Sequence, residues 1–163
     1  MKKLTQLNSK EPLVALAVFA SRLGALPANV SPVGAFGFFG NPVVYFLSLL
    51  AFDFLVGGIY RDMLFTYVGF GMYALLGYLA RHDTKKQLLF LPLASFLFFL
   101  ISNFGTFLYW YPQTWAGLAA CYLAAVPFYT RTLLGDVVFG YGYLLFKTYK
   151  APIIAPMTTK ATT

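Results

Sequence analysis

Four ionisable residues, Arg22, Asp53, Arg131 and Asp136, stand within or against runs of apolar residues. A charge inside an apolar helix is costly, so such residues are candidates for ion pairs, relays or ligand sites. Asn103 adds an amide to the longest apolar run. The chemistry open to this set is recognition. Arg22 can pair with Asp53, and Asp136 can accept from a donor or a cation. Nucleophilic catalysis finds little material. The chain has one cysteine, Cys121, and one histidine, His82. His82 stands among Arg81, Asp83, Lys85 and Lys86, as a solvated loop residue does. Cys121 lies in an apolar stretch and reads as a small hydrophobe. No internal disulfide and no Cys/His metal cluster can be built from one of each. The residues therefore predict no catalytic group, no metal and no cofactor.

Glycine spacing raises a second question. Gly34, Gly37 and Gly40 are three apart. No Lys-Ser or Lys-Thr follows to complete a phosphate-binding loop. The spacing instead predicts one helix face on which backbones approach closely. Ala17 with Ser21 and Ala20 with Gly24 repeat the small-residue pattern on the first helix. They predict packing against a neighbouring helix or a docking face for another membrane subunit.

The elements that carry these residues are apolar runs separated by turn signals. The runs are 12–26, 32–40, 43–56, 63–80, 87–110, 116–129 and 132–146. Breaks fall at Pro27 to Ser31, Asn41-Pro42, Gly57-Gly58, Arg61-Asp62, the basic loop Arg81 to Lys86, and Tyr111-Pro112-Gln113. Pro127 predicts the end of a short surface helix ahead of the last span. A spanning helix needs about 20 residues. The run 32–40 is too short for that, so residues 32–58 cross either once or twice.

Charge arbitrates. Nine of the twelve basic residues lie in three clusters: Lys2, Lys3 and Lys10; Arg81, Lys85 and Lys86; and Lys147, Lys150 and Lys160. Basic flanks collect on the cytoplasmic side. Six crossings put all three clusters there, whereas a single span over 32–58 does not. Tyr109, Trp110, Tyr111 and Trp115 then form an interfacial belt at the outer end. In this topology Arg22, Asp53 and Asp136 each lie roughly 6 Å below the outer edge, and Asn103 roughly 10 Å below it.

Composition agrees with a bilayer. Of 163 residues, 60% are hydrophobic and 10% charged, against about 25% charged in soluble domains. The net charge of +7 sits in helix flanks rather than in a stripe, which argues against nucleic acid. The expected organisation is a cytoplasmic segment over 1–11, a transmembrane helical domain over 12–150, and a cytoplasmic tail over 151–163. The polar stretch to Glu11 and the lack of a small-residue cleavage site favour a retained first helix over a signal peptide.

Several stretches resemble a bacterial membrane family of unknown function related to the substrate-binding S-components of energy-coupling-factor transporters. They are Arg22 followed by Leu26-Pro27-Ala28-Asn29-Val30-Ser31-Pro32-Val33-Gly34-Ala35, the Asp53 segment, Ser102-Asn103-Phe104-Gly105, Ala116-Gly117-Leu118 through Cys121-Tyr122 to Pro127-Phe128, and Leu134-Gly135-Asp136. The resemblance implies an all-α, S-component-like bundle of about six transmembrane helices in the inner (plasma) membrane, with both termini cytoplasmic. It implies a vitamin-like small molecule bound near the outer face, and membrane energising subunits as partners.

Joined to the polar residues, it predicts a site lined by Asn103, Tyr122, Phe128 and Asp136 and roofed by residues 111–131. It further predicts an Arg22–Asp53 intramembrane ion pair and a docking face of Ala17, Ala20, Ser21 and Gly24. The competing expectation is a structural or assembly membrane subunit without a ligand. A membrane enzyme would need a His or Cys facing Asp136.

Overall fold

The computed structural model describes residues 11–150. The expectations for the N-terminal segment before Glu11 and for the tail 151–163 lie outside these residues. The described residues are all-α: α1 (Glu11–Ala20), α2 (Val33–Phe39), α3 (Pro42–Phe52), α4 (Met63–Ala80), α5 (Thr84–Trp110) and α6 (Trp115–Lys150). α1 and α3 each continue into a wide π-type turn, Ser21–Ala25 and Asp53–Gly57. Two helices, α4 and α5, are long and apolar enough to cross a membrane.

Local sequence sets the helix ends. Asn41 caps α3 by accepting from the Val43 and Val44 N–H groups at 2.9 and 3.4 Å, and Pro42 occupies the first turn, where its missing N–H costs nothing. Asp83 does the same for α5, accepting from Lys85 and Lys86 at 2.9 and 3.2 Å. The turn after α1 needs a left-handed residue, and Gly24 supplies it at φ 101°. Asn29 follows at φ 66°, a conformation asparagine tolerates better than most residues.

Contacts fix the arrangement. α4 and α5 are antiparallel: Thr106 donates to the Asp62 carboxylate at one end, Phe98 packs on Phe70 midway, and Gln87 donates to the Arg81 carbonyl at the other. α6 returns along α5, with Tyr122 donating to the Leu100 carbonyl and Tyr141 to that of Leu88. α1 and α3 run in the same direction, Val18 packing with Tyr45 and Leu49 and Phe19 with Phe52. Between this pair and the α4–α6 layer stands α2. The end holding Gly58 to Asp62 and the turn 111–114 is here the upper end.

α2 has seven residues, so it is about 10 Å long, against about 40 Å for α5. Its first turn meets Tyr73 and Asp136, near the middle of α4 and α6. Its last turn meets Gly77 and Tyr143 near the lower end. It fills only the lower half of the bundle. Glycines allow the fit: a Cβ at Gly77 would overlap the Phe38 carbonyl, and one at Gly37 the Tyr45 ring. The chain then reverses at Asn41, with Tyr45 edge-on to Phe36 at 5.8 Å. Residues 33–52 are thus two helices folded back on each other, and the first of them is too short to cross a membrane.

One element departs from expectation. No separate surface helix precedes the last helix; α6 is continuous from Trp115 to Lys150 with Pro127 inside it. A proline removes one backbone hydrogen bond and crowds the preceding turn. Here α5 lies alongside on both sides of that position, through Tyr122 before it and Tyr129 after it. Packing along a neighbouring helix outweighs the local defect, as it does for Pro92 within α5.

Candidate functional site

Because α2 stops halfway, the upper half of the bundle holds a cavity of about 480 Å³ between the α1–α3 pair and the α4–α6 layer. Its size falls within the usual range for small-molecule sites, about 300–1,000 Å³. The segment Leu26 to Ser31 descends into the bundle and forms one wall, with Ser31 packed against Gly135. Phe52, Phe70 and Phe98 supply apolar walls, and Gly34, Tyr73 and Asp136 lie at the inner end.

Asp136 is 1% exposed. Its Oδ2 accepts from the Tyr73 hydroxyl at 2.5 Å. Its Oδ1 rests over Gly34, where a Cβ would collide with it. A glycine is therefore required at this point of α2 for the carboxylate to occupy its place. No salt bridge reaches Asp136 among the described residues. A buried carboxylate is stabilised by hydrogen bonds or by a cation, and Asp136 has the first only.

Arg22 lines the same cavity from the other side. Its Nη2 lies 3.9 Å from Asp53 Oδ1, and its guanidinium stands 3.7 Å from the centre of the Phe52 ring. Asp53 also accepts from the Tyr67 hydroxyl at 2.9 Å. The Arg22 charge is therefore directed to Asp53 and the aromatic wall. Its Nη1 is buried with no hydrogen-bond partner. Tyr45 Oη and Ser95 Oγ are also buried and unpartnered.

A second cavity of about 330 Å³ adjoins the first and shares Asn29, Phe98 and Thr132 with it. Asn103 and Phe128 line this one, together with Ser102, Phe99, Ala125 and Tyr129.

The site expected from sequence is thus divided. Asp136 belongs to the larger cavity, Asn103 and Phe128 to the smaller, and Tyr122 to neither lining. Tyr122 spends its hydroxyl on the Leu100 carbonyl at 2.7 Å, and the Asn103 amide donates to the Phe99 carbonyl of its own helix at 2.8 Å. The roof over 111–131 is absent, because only residues 111–114 are non-helical there. Asp136 is also deeper than expected. It stands about six turns into α6, level with Tyr73 at the middle of the bundle. The error follows from the break assumed at Pro127, which placed the start of the last helix too late.

The small-residue face of α1 divides likewise. Ala17 and Ala20 are exposed, whereas Ser21 and Gly24 line the cavity. Cys121 is buried with its Sγ 3.5 Å from the Asn103 carbonyl. Arg131 is exposed on α6 and lines neither cavity.

Three features were missed in the sequence. Tyr73 was hidden because a tyrosine in an apolar helix reads as packing. Gly34 was read for helix contact, not for making room for a carboxylate. Asn29 and Thr132 sit in segments read as loop or helix start. Nothing in the run marked Tyr73 out, because Tyr67 and Tyr78 carry the same phenolic hydroxyl in the same helix.

Residues 10–153 match the model of a family of unknown function, DUF6580, and the chain belongs to that family. No curated protein and no solved structure matches the chain.

Proposed function

We propose that this protein is a multi-pass membrane protein that binds a small molecule in the cavity above α2 and takes part in its uptake, in the manner of an S-component. The observation that carries the reading is the cavity itself. A helix only seven residues long leaves half of an apolar bundle unfilled, and polar groups from the turn after α1, from α4 and from α6 face or border the space that remains.

Membrane embedding has separate support. Leu47, Leu64, Leu89, Leu123 and Leu145, on four helices, are each more than 60% exposed. Apolar side chains outward on every side suit lipid rather than water. Arg81, Lys85 and Lys86 are exposed at the lower end, which makes that end cytoplasmic by the positive-inside rule. The descent of residues 26–39 counts as one passage, made by an extended segment above and α2 below. Irregular backbone at that depth is tolerated where it lines a cavity. Six passages follow, with both termini cytoplasmic and the cavity toward the outer face. Energising subunits would meet the exposed side of α1 at Ala17 and Ala20.

The test is to purify the protein in mild detergent, extract it, and identify co-purified small molecules by mass spectrometry. A compound enriched over an unrelated membrane protein, and lost on filling the cavity with Thr132→Trp, is the expected result. A cavity that holds only lipid or detergent would leave the structural-subunit reading in its place.

A further inference from the structure

The cavity's charge identifies a class of ligand; this step rests on the small-molecule reading above. Two charged side chains line the space, and they are not equivalent. Arg22 faces Asp53 at 3.9 Å and stands over the Phe52 ring, so its charge is met mainly from within the protein. Asp136 takes the Tyr73 hydroxyl, stands beside the buried Ser95 hydroxyl, and meets no cation among the described residues. The spare charge of the site is negative, and it sits at the closed inner end. The intervening walls are aromatic, with Phe70 and Phe98 stacked at 4.7 Å and 23° and Tyr73 tilted against Phe98 at 6.0 Å.

We infer that the ligand is a compact aromatic amine or N–H-rich heterocycle, held with its cationic or donor end at Asp136 and its ring among Phe52, Phe70 and Phe98. A carboxylate oxygen carries lone pairs and no proton to give, so it selects donors and rejects anions. A cation within a few ångströms also favours the ionised carboxylate over its neutral form. Ring faces attract the same cation through their quadrupoles, so the walls and the inner end of the cavity select in the same direction. An anion would meet the Asp136 charge with no cation beside it, while Arg22 faces Asp53 and keeps only its Nη1 unpartnered. The volume of about 480 Å³ suits one bicyclic ring with a short chain.

The probes are four compounds on one indole skeleton: tryptamine, tryptophan, indole-3-propanamide and indole-3-propionate. Each is added at millimolar concentration to the purified protein, and thermal unfolding is followed. Tryptamine should raise the melting temperature by several degrees and indole-3-propionate by none. Asp136→Asn should abolish the difference, while Arg22→Gln should keep the order of the four. If Asp136→Asn does not fold, the wild-type order decides alone. A larger shift with the propionate, or equal shifts with all four, overturns the charge assignment but leaves the small-molecule reading standing. If none of the four shifts the protein, the charge of any co-purified compound decides: an amine or N–H donor sustains the assignment, an anion without donors overturns it. No shift together with no co-purified compound overturns both readings.

Discussion

The lower and upper halves of the bundle are enclosed by the same long helices and differ in what stands between them. Below, α2 occupies the centre, and glycines bring its backbone against α4 and α3. Phe38, Tyr73, Leu76, Ala80, Leu91 and Ala94 close into one buried cluster there. Above, no helix among the described residues fills the same place. The connection Leu26 to Ser31 lines an open volume instead, and Arg22, Asp53, Tyr67 and Asp136 lie in or around it. Close-packed interiors exclude polar groups unless these are bonded. The comparison teaches that the polar residues collect where helical backbone is missing, at the boundary between a filled half and an unfilled one.

The largest expected effect comes from forcing the filled half open. At Gly77 any side chain meets the Phe38 backbone, which cannot turn aside as a rotamer can. Gly77→Leu should destabilise by about 4 kcal/mol, beyond the usual range for overpacking, because helix must move from helix. Thermal unfolding in detergent measures it; near-normal stability would mean that α2 does not pack against α4 as described.

Next in size is the ion pair of the unfilled half. Arg22→Leu strands Asp53, which is 4% exposed, and should cost about 3 kcal/mol, the low end for breaking a buried pair because Arg22 is partly exposed. The double variant Arg22→Leu/Asp53→Leu should cost less than the sum of the two singles. Strict additivity in the cycle would remove the pair from the account.

Gly34 stands on the boundary itself. Gly34→Ala drives a methyl group into the place of the Asp136 carboxylate, a side chain that can rotate. A moderate loss of about 2 kcal/mol is expected, accompanied by loss of ligand binding. Intact binding with lowered stability would show that the carboxylate's position does not matter to the ligand.

The smallest effect should be at Tyr122, outside both cavities. Tyr122→Phe gives up one hydrogen bond to the Leu100 carbonyl, worth about 1 kcal/mol, and should leave binding unchanged. A binding loss as large as that of Gly34→Ala would return Tyr122 to the site.

Legibility followed the range of the interactions concerned. α4 and the upper end of α5 could be read from sequence because an unbroken apolar run bounded by Arg-Asp, a basic loop and Tyr-Pro admits no other local reading. The turn at Asn41-Pro42 was legible for the same reason: the cap and the proline act within four residues. Arg22 and Asp53 were matched by opposite charge and by the similar depth that the six-crossing topology gave them. The end assigned at Pro127 failed because propensity prices a lost hydrogen bond but not the neighbouring helix that holds both sides of it.

What the sequence by itself determined is an all-helical chain with an apolar exterior, a small set of buried charges and glycines at fixed spacing. Those are consequences of composition and of contacts within a few residues. Only the tertiary structure decided that α2 stops at mid-bundle, that Gly34 makes room for Asp136, and that Asp136 shares a cavity with Arg22 while Asn103 faces a different one. Each of those depends on how far one helix slides along another. Helix register is set by the summed fit of many side chains across α2, α4 and α6, and no local residue pattern carries that sum.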